Sequence, residues 1–276
     1  MRTLTFPDGR SVPALGLGTW YMGESAGAHD GEVRALQTGI DLGMTLIDTA
    51  EMYASGGAEE VVGDAIQGRR DQVFIVSKVL PYNASRKGTI KACEDSLRRL
   101  GTDHIDLYLL HWPGSHPLAE TVEAFEALRE TGKIGGYGVS NFDVAEMKAW
   151  EKVAGPDLCQ TDQILYNLSR RGIEWDLAPW ARERKMPLMA YSPLEQGRLR
   201  DGALDAVAAK YGVTAMQAAL AWVLREPGII AIPKASNPEH VHANKAALDL
   251  TLDAEDLALL DRAFPPPSGK QALEVL

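Results

Sequence analysis

The chain contains, between two helical patterns, the stretch Leu46-Ile47-Asp48-Thr49-Ala50-Glu51-Met52-Tyr53. Two apolar residues that favour β-structure lead into the carboxylate of Asp48, and the phenol of Tyr53 follows five residues later. This pattern is typical of a strand that runs into a loop. We therefore predict an acid at the tip of the strand and a phenol on the loop that follows.

Two later strand-like runs also end on an ionisable residue. The run Val73-Phe74-Ile75-Val76-Ser77-Lys78 ends on a lysine, and Ile105-Asp106-Leu107-Tyr108-Leu109-Leu110-His111-Trp112 carries a histidine at its end. In a parallel barrel all strand ends of one polarity share one face. The four ionisable side chains are therefore expected to meet there.

Strand-like and helical patterns alternate along the whole chain. The eight strand-like runs are Ala14–Thr19, Thr45–Thr49, Val73–Lys78, Ile105–His111, Ile134–Ser140, Gln160–Leu165, Pro187–Ser192 and Ile229–Lys234. The helical patterns are Asp30–Leu42, Ala58–Gln67, Arg86–Leu100, Leu118–Thr131, Asp143–Val153, Glu174–Lys185, Thr214–Arg225, Pro238–Ala247 and Ala254–Ala263. The alternation predicts an α/β fold of the (β/α)8 TIM barrel type in a single domain, residues 1–276.

The two ends of the chain add to this barrel. Leu4 to Pro13 is interpreted as an N-terminal β-hairpin cap that turns at Asp8-Gly9. An extra C-terminal helix follows the last strand, and the tail from Phe264 to Leu276 is expected to lie over the surface. The doubly wound alternative is disfavoured because Tyr21 stands where Gly16-Leu17-Gly18-Thr19-Trp20 would require its third glycine.

The composition narrows the classes of partner. The 276 residues carry a formal net charge of -10, which disfavours nucleic acid and acidic membrane surfaces as partners. The two cysteines, Cys93 and Cys159, match neither a disulfide framework nor a metal site, so a reducing compartment and the absence of a metal are expected. No apolar run approaches about 18 residues, and the first residues lack an apolar signal core. We expect a cytoplasmic monomer.

The predicted cluster suits one kind of chemistry. A phenol with a pKa near ~10 is a poor acid at neutral pH. Lys78 beside Tyr53 is expected to lower that pKa, and Asp48 to keep the ammonium charged and fixed. The phenol then suits proton donation to a carbonyl oxygen during hydride attack, with His111 donating a hydrogen bond to the same oxygen.

With these residues in place, the sequence resembles the aldo-keto reductase superfamily over nearly its full length, and bacterial members that reduce methylglyoxal in particular. The matching stretches are Gly16–Trp20, Asp48–Tyr53, Ser77-Lys78, Asp106–Pro113, Gly138–Phe142, Gln163–Asn167, Ala190–Leu194 and Ile232–Lys234. The segment Thr19-Trp20-Tyr21-Met22-Gly23-Glu24 fits the methylglyoxal-reducing subgroup.

The resemblance implies a role for each matching residue. Asp48, Tyr53, Lys78 and His111 would be catalytic, with Tyr53 as the general acid. The substrate would lie against Trp20, Tyr53, Tyr82, His111 and Trp112. The cofactor NADPH would contact Gly18, Thr19, Asp48, Ser140, Asn141, Gln163, Tyr191, Ser192, Leu194, Gln196, Lys234, Ser236, Asn237, His240 and Asn244.

Two positions depart from the family pattern near the expected 2′-phosphate. His240 stands where an arginine is common, and Ala243 stands where a glutamate often precedes the adenine-contacting Asn244. A histidine is a weaker phosphate partner than a bidentate guanidinium. NADPH remains the favoured cofactor, with NADH as the alternative.

The resulting hypothesis is an oxidoreductase that reduces small aldehydes and α-oxo-aldehydes such as methylglyoxal. The short loop after His111 favours such small carbonyl substrates over steroids. One alternative is a redox-sensing regulatory protein that holds NADPH and turns over slowly. Another is a barrel lyase or isomerase that uses Lys78 as a Schiff base, although this leaves Ser140-Asn141 and Tyr191-Ser192 unexplained.

Overall fold

Eight parallel strands form the centre of the molecule. The computed structural model describes residues 1–276. The barrel strands are β3 Leu17–Gly18, β4 Leu46–Asp48, β5 Phe74–Val79, β6 Ile105–Leu110, β7 Ile134–Ser140, β8 Cys159–Leu165, β9 Leu188–Tyr191 and β10 Ile229–Ala231. They pair in chain order from β3 to β10. All eight predicted strands are present.

The sheet closes between its first and last strands. Parallel bridges join Leu15 to Ala231 and Gly18 to Lys234. The backbones of the first and last strands approach closely here: a Cβ on Gly18 would lie 2.5 Å from the carbonyl oxygen of Ile232. The predicted (β/α)8 barrel is therefore confirmed, and a glycine permits its closure.

The predicted hairpin seals the N-terminal end of the barrel. It consists of β1 Thr3–Thr5 paired antiparallel with β2 Ser11–Pro13, and Gly9 takes a φ of +89° in the turn. Its Phe6 and Val12 are buried against the barrel interior. The interior side chains that they join are Leu46, Val76, Leu107, Leu109, Met189, Ile230 and Ile232. With this end closed, the opposite end of the barrel is left open for a site.

Helices surround the strands at close to the predicted positions. They are α1 His29–Asp41, α2 Gly57–Ala65, α3 Arg86–Leu100, α4 Leu118–Glu130, α5 Val144–Ala154, α6 Leu177–Glu183, α7 Gly202–Tyr211, α8 Ala215–Leu224, α9 Pro238–Ala246 and α10 Ala254–Ala263. Helix α7 was not predicted, although Asp201 caps its first turn and Gly212 ends it with a positive φ. Its alanine-rich sequence gives little contrast between an apolar and a polar face.

The tail after α10 lies over the surface, as predicted, because none of its residues is fully buried. Its course was not predicted: it turns back to the open end of the barrel. An Nη1 of Arg171 donates to the Phe264 carbonyl at 2.6 Å, and Arg170 pairs with Glu274 at 2.7 Å. Two arginines on the loop after β8 thus hold the tail, and its last residues line a cavity described below.

None of the helices is by itself long and apolar enough to span a bilayer. Helices α7 and α8 reach that length and hydropathy only when taken together, and they are bent by 91° at their junction.

Candidate active site

Asp48, Tyr53 and Lys78 form one hydrogen-bonded cluster at the open end of the barrel. The Nζ of Lys78 lies 2.9 Å from the Asp48 carboxylate and 3.1 Å from the Oη of Tyr53. A third bond runs from Nζ to the carbonyl oxygen of Thr49 at 2.8 Å. Asp48 ends β4 and Lys78 lies near the end of β5, which is why neighbouring strands bring them together. All three donor directions of the ammonium are used.

Burial dominates the electrostatics of this cluster. The side chain of Lys78 is fully buried and that of Asp48 nearly so. Loss of hydration raises the pKa of Asp48 and lowers the pKa of Lys78, and their mutual attraction opposes both shifts. The buried pair is therefore held by its own contacts rather than by solvent.

The expected pKa of Tyr53 is wrong in direction. Burial raises the pKa of the Tyr53 phenol well above its usual value, and the Asp48 carboxylate raises it further. The physical reason is that Asp48 offsets the charge of Lys78, so the ammonium cannot outweigh the loss of hydration. The phenol consequently keeps its proton, and the ammonium of Lys78 lies within hydrogen-bond distance of its oxygen.

His111 follows β6 and lies beside the phenol. Its ring centroid is 5.8 Å from that of Tyr53, with the rings at 74°. Burial lowers the pKa of His111 well below its usual value, and repulsion from Lys78 adds to the effect. The imidazole is therefore neutral, which lets it act as a hydrogen-bond donor without carrying a charge into the site.

Amide and hydroxyl groups lie next to the cluster. The Nε2 of Gln163 donates to Asp48 at 2.6 Å, and the hydroxyl of Tyr191 donates to the Oδ1 of Asn141 at 2.8 Å. Asn141 has a φ of +61° and donates in turn to the hydroxyl oxygen of Ser140 at 3.1 Å. The ends of β7, β8 and β9 thus form one polar layer beside the phenol.

A cavity of about 600 Å³ opens above these groups, and we call it the substrate cavity. Its aromatic and apolar walls include Trp20, Met52, Trp112, Leu273 and Val275. Its lining residues are Trp20, Met52, Tyr53, His111, Trp112, Pro113, Ser140, Asn141, Asp143, Glu146, Gln163, Tyr191, Leu273, Val275 and Leu276. Of the predicted substrate residues, only Tyr82 lies outside the lining; it is 79% exposed and touches the edge of Trp112.

A second cavity of about 770 Å³ runs away from the cluster, and we call it the cofactor groove. It shares Trp20, Tyr53 and Tyr191 with the substrate cavity. Among the predicted cofactor residues it is lined by Gly18, Thr19, Asp48, Tyr191, Ser192, Leu194, Gln196, Lys234, His240 and Asn244. Ser140, Asn141 and Gln163 line the substrate cavity instead.

The far end of the cofactor groove contains the cation of Lys234, hydrogen-bond donors and the carboxylate of Glu239. The exposed Lys234 donates to the hydroxyl of Ser236 at 2.5 Å. Ser236 and Asn237 do not line the groove, and the Asn237 side chain is used to cap α9 through the backbone N–H of His240. A long groove that begins beside the amides of the substrate cavity and contains the cation of Lys234 fits a dinucleotide with a terminal phosphate.

Comparison with known proteins agrees with this geometry. The sequence model of the aldo/keto reductase family matches residues 14–264. The chain belongs to the aldo/keto reductase family. It is 52% identical to the methylglyoxal reductase YeaE of Escherichia coli K12, over 100% of this chain and 99% of that protein.

Solved structures give the same result for this aldo/keto reductase. A Klebsiella pneumoniae aldo-keto reductase in complex with NADPH has a TM-score of 0.94 and 54% identity, covering 100% of both chains. An aldo/keto reductase from the same organism, in complex with NADP and acetate, has a TM-score of 0.95 and 54% identity over 99% of each chain.

Sequence reasoning missed several residues of this aldo/keto reductase's cavity. Asp143 and Glu146 line it, and a signal for them existed, because they follow directly after the end of β7. Leu273, Val275 and Leu276 had no such signal. Their position depends on the long-range contacts of Arg170 and Arg171 with the tail.

Proposed function

We propose that this aldo/keto reductase uses NADPH to reduce small aldehydes and α-oxo-aldehydes, methylglyoxal among them, to alcohols. One observation carries the proposal. Tyr53 lines both the substrate cavity and the cofactor groove, and Lys78 donates to its hydroxyl at 3.1 Å. A proton donor therefore lies where a carbonyl compound and a reductant would meet.

Residues of both cavities supply the contacts that the cofactor needs. Ser140, Asn141 and Gln163 would bind the carboxamide of the nicotinamide, and Tyr191, which borders both cavities, would contact its ring. Ser192, Leu194 and Gln196 would follow the pyrophosphate, while Lys234 would read the 2′-phosphate. The two Klebsiella proteins that resemble this chain were crystallised with NADPH or NADP, which supports the assignment.

The residues of the cluster divide the proton chemistry among them. When bound, NADPH supplies the hydride that reduces the carbonyl carbon. Tyr53 gives its proton to the carbonyl oxygen, and Lys78 stabilises the negative charge left on the phenol oxygen. Neutral His111 donates a hydrogen bond that orients the carbonyl, and Asp48 and the Thr49 carbonyl hold Lys78 in place.

The aromatic walls of the substrate cavity support small, weakly polar carbonyl compounds as the substrate class. The name of the Escherichia coli relative, a methylglyoxal reductase at 52% identity, supports the α-oxo-aldehyde in particular. We further propose that residues 1–276 act as one domain and as a cytoplasmic monomer without nucleic-acid or membrane partners, in keeping with the net charge of -10.

The alternatives fit the site less well. A protein that only holds NADPH has no need of the buried proton-donor cluster. A Schiff-base lyase needs an accessible amine, whereas Lys78 is fully buried and bonded to three oxygens.

The test is the initial rate of methylglyoxal reduction, followed by the loss of NADPH absorbance, with NADH in parallel. The proposal expects steady multiple turnover with NADPH and a higher KM for NADH. Tight binding of NADPH without turnover on methylglyoxal or any other small aldehyde would favour the regulatory alternative.

A further inference from the structure

The only charged side chains that line the substrate cavity are carboxylates. They belong to Asp143 and Glu146, and no lysine or arginine is in the lining. The other ionisable groups there, Tyr53, His111 and Tyr191, are neutral, because burial raises the pKa of both phenols and lowers that of the imidazole. One wall of the cavity therefore carries negative charge that nothing in the lining offsets.

Both carboxylates are fixed at the first turn of α5 by a reciprocal capping box. Asp143 Oδ1 accepts from the backbone N–H of Ala145 at 2.8 Å and of Glu146 at 2.9 Å. Glu146 Oε2 accepts from the backbone N–H of Asp143 at 2.8 Å. The two acids thus hold each other's backbone in place while they border the cavity, and neither swings freely into solvent.

This arrangement also occupies backbone donors at the helix N-terminus that would otherwise attract an anion. A helix N-terminus normally offers free N–H groups and a positive dipole end to negative ligands. Here the acids of the chain itself occupy the donors of Asp143, Ala145 and Glu146. At this wall, a carboxylate or phosphate on a substrate would meet two like charges.

Nearby cations are unable to compensate, because they are already paired. Lys78 is fully buried and bonded to Asp48. Arg170 lies outside the lining and pairs with Glu195 at 3.2 Å and with Glu274 at 2.7 Å. The charge of Asp143 and Glu146 therefore acts on whatever lies in the cavity.

We propose that this cavity selects against carbonyl compounds that carry an anionic group, and that Asp143 and Glu146 are the residues that impose the selection. The inference rests on the proposed reductase function and narrows its substrate class to neutral and cationic carbonyl compounds. Like charges held close together at a partly desolvated site repel, and this repulsion weakens as salt is added.

The experiment compares two aromatic aldehydes that differ in one charge, 4-carboxybenzaldehyde and its methyl ester. The expected result is that kcat/KM for the ester exceeds that for the acid by roughly tenfold or more at low ionic strength, and that salt narrows the ratio. Equal values, or a preference for the acid, would overturn the proposal without need of any variant.

The variants Asp143→Asn and Glu146→Gln then test whether these two carboxylates cause the preference for the ester. Both retain hydrogen-bonding oxygens of the same shape, so the capping box survives while the charge is lost. In each variant, the ratio of kcat/KM for the ester to kcat/KM for the acid should be several-fold closer to one. The ratio is taken within each variant, so a general change in activity cancels.

The control is Glu130→Gln at the exposed end of α4, which removes the same charge away from the cavity. Its ratio should remain at the wild-type value. If Glu130→Gln lowers the ratio as much as Glu146→Gln does, net charge and not the cavity wall is responsible, and the assignment fails. Methylglyoxal is assayed alongside: turnover of methylglyoxal without discrimination refutes only this inference, whereas no turnover of any aldehyde refutes the proposed function.

Discussion

Asp162 is a buried acid with too few partners. It lies on β8 next to Gln163 and is fully buried. One oxygen accepts a long bond from the N–H of Phe142 at 3.4 Å, and the other has no hydrogen-bond partner. Burial raises the pKa of Asp162 well above its usual value, and the neighbouring Glu146 and Asp143 raise it further. The folded protein therefore prefers the neutral acid.

Because of this preference, Asp162 makes the stability of the folded protein depend on pH. The unfolded chain releases the proton above pH ~4, whereas the folded chain keeps it. The contribution of Asp162 to the free energy of unfolding is therefore fully present below pH ~4. It is lost as the pH rises toward the pKa that Asp162 has in the folded protein. We predict that Asp162→Asn, which cannot ionise, gains Tm relative to wild type as pH is raised from 4 to 7. A Tm difference that stays constant between these pH values would show that Asp162 is ionised in the folded state.

Lys234 is the exposed cation at the far end of the cofactor groove. We predict that Lys234→Ala raises the Kd for NADPH roughly tenfold and that for NADH far less, because only NADPH carries a 2′-phosphate with which the ammonium would pair. Quenching of tryptophan fluorescence measures both constants. Equal losses for the two cofactors would mean that Lys234 does not contact the 2′-phosphate.

At the scale of elements, three loops meet at one arginine. Arg170, on the loop after β8, pairs with Glu195 on the loop after β9 and with Glu274 on the tail. The loop after β9 borders the cofactor groove through Gln196, and the tail borders the substrate cavity through Leu273 and Val275. Arg170 therefore holds parts of both cavities at once.

We predict that Arg170→Met raises KM for methylglyoxal several-fold and weakens NADPH binding, while kcat changes less, because the proton-donor cluster is untouched. The control is Arg98→Met on α3, which removes a more exposed guanidinium that pairs only with groups of its own helix. If the two variants have the same kinetic constants, the position of the tail at the substrate cavity does not depend on Arg170. Exposed ion pairs contribute only about 1 kcal/mol, so little loss of Tm is expected from either change.

At the scale of the whole molecule, the barrel depends on one close approach at its closure. A Cβ on Gly18 would lie 2.5 Å from the carbonyl oxygen of Ile232, whereas one on Gly202 would meet no atom within 4 Å. We predict that Gly18→Ala lowers the stability by about 1–3 kcal/mol through overpacking. Gly202→Ala, at the start of α7, should leave Tm unchanged or raise it. A Gly18→Ala protein as stable as wild type would mean that the closure tolerates a wider gap.

Features encoded by local pattern were predictable from the sequence, and those that depend on distant contacts were not. The β-formers before Asp48 and Lys78 identify strand ends, and the parallel topology then gathers those ends. The raised pKa of Tyr53 was missed because it depends on burial, which residue types alone do not give. The course of the tail was missed because it depends on two arginines about a hundred residues earlier in the chain.

The proposed reaction as a whole requires Tyr53 to be the proton donor between the two cavities. The most direct measurement is kcat for methylglyoxal with Tyr53→Phe, together with the Kd for NADPH from tryptophan fluorescence. We predict that kcat falls by at least about 10²-fold, as expected for loss of a general acid, while the Kd stays near that of wild type. A variant that keeps its kcat would contradict the account.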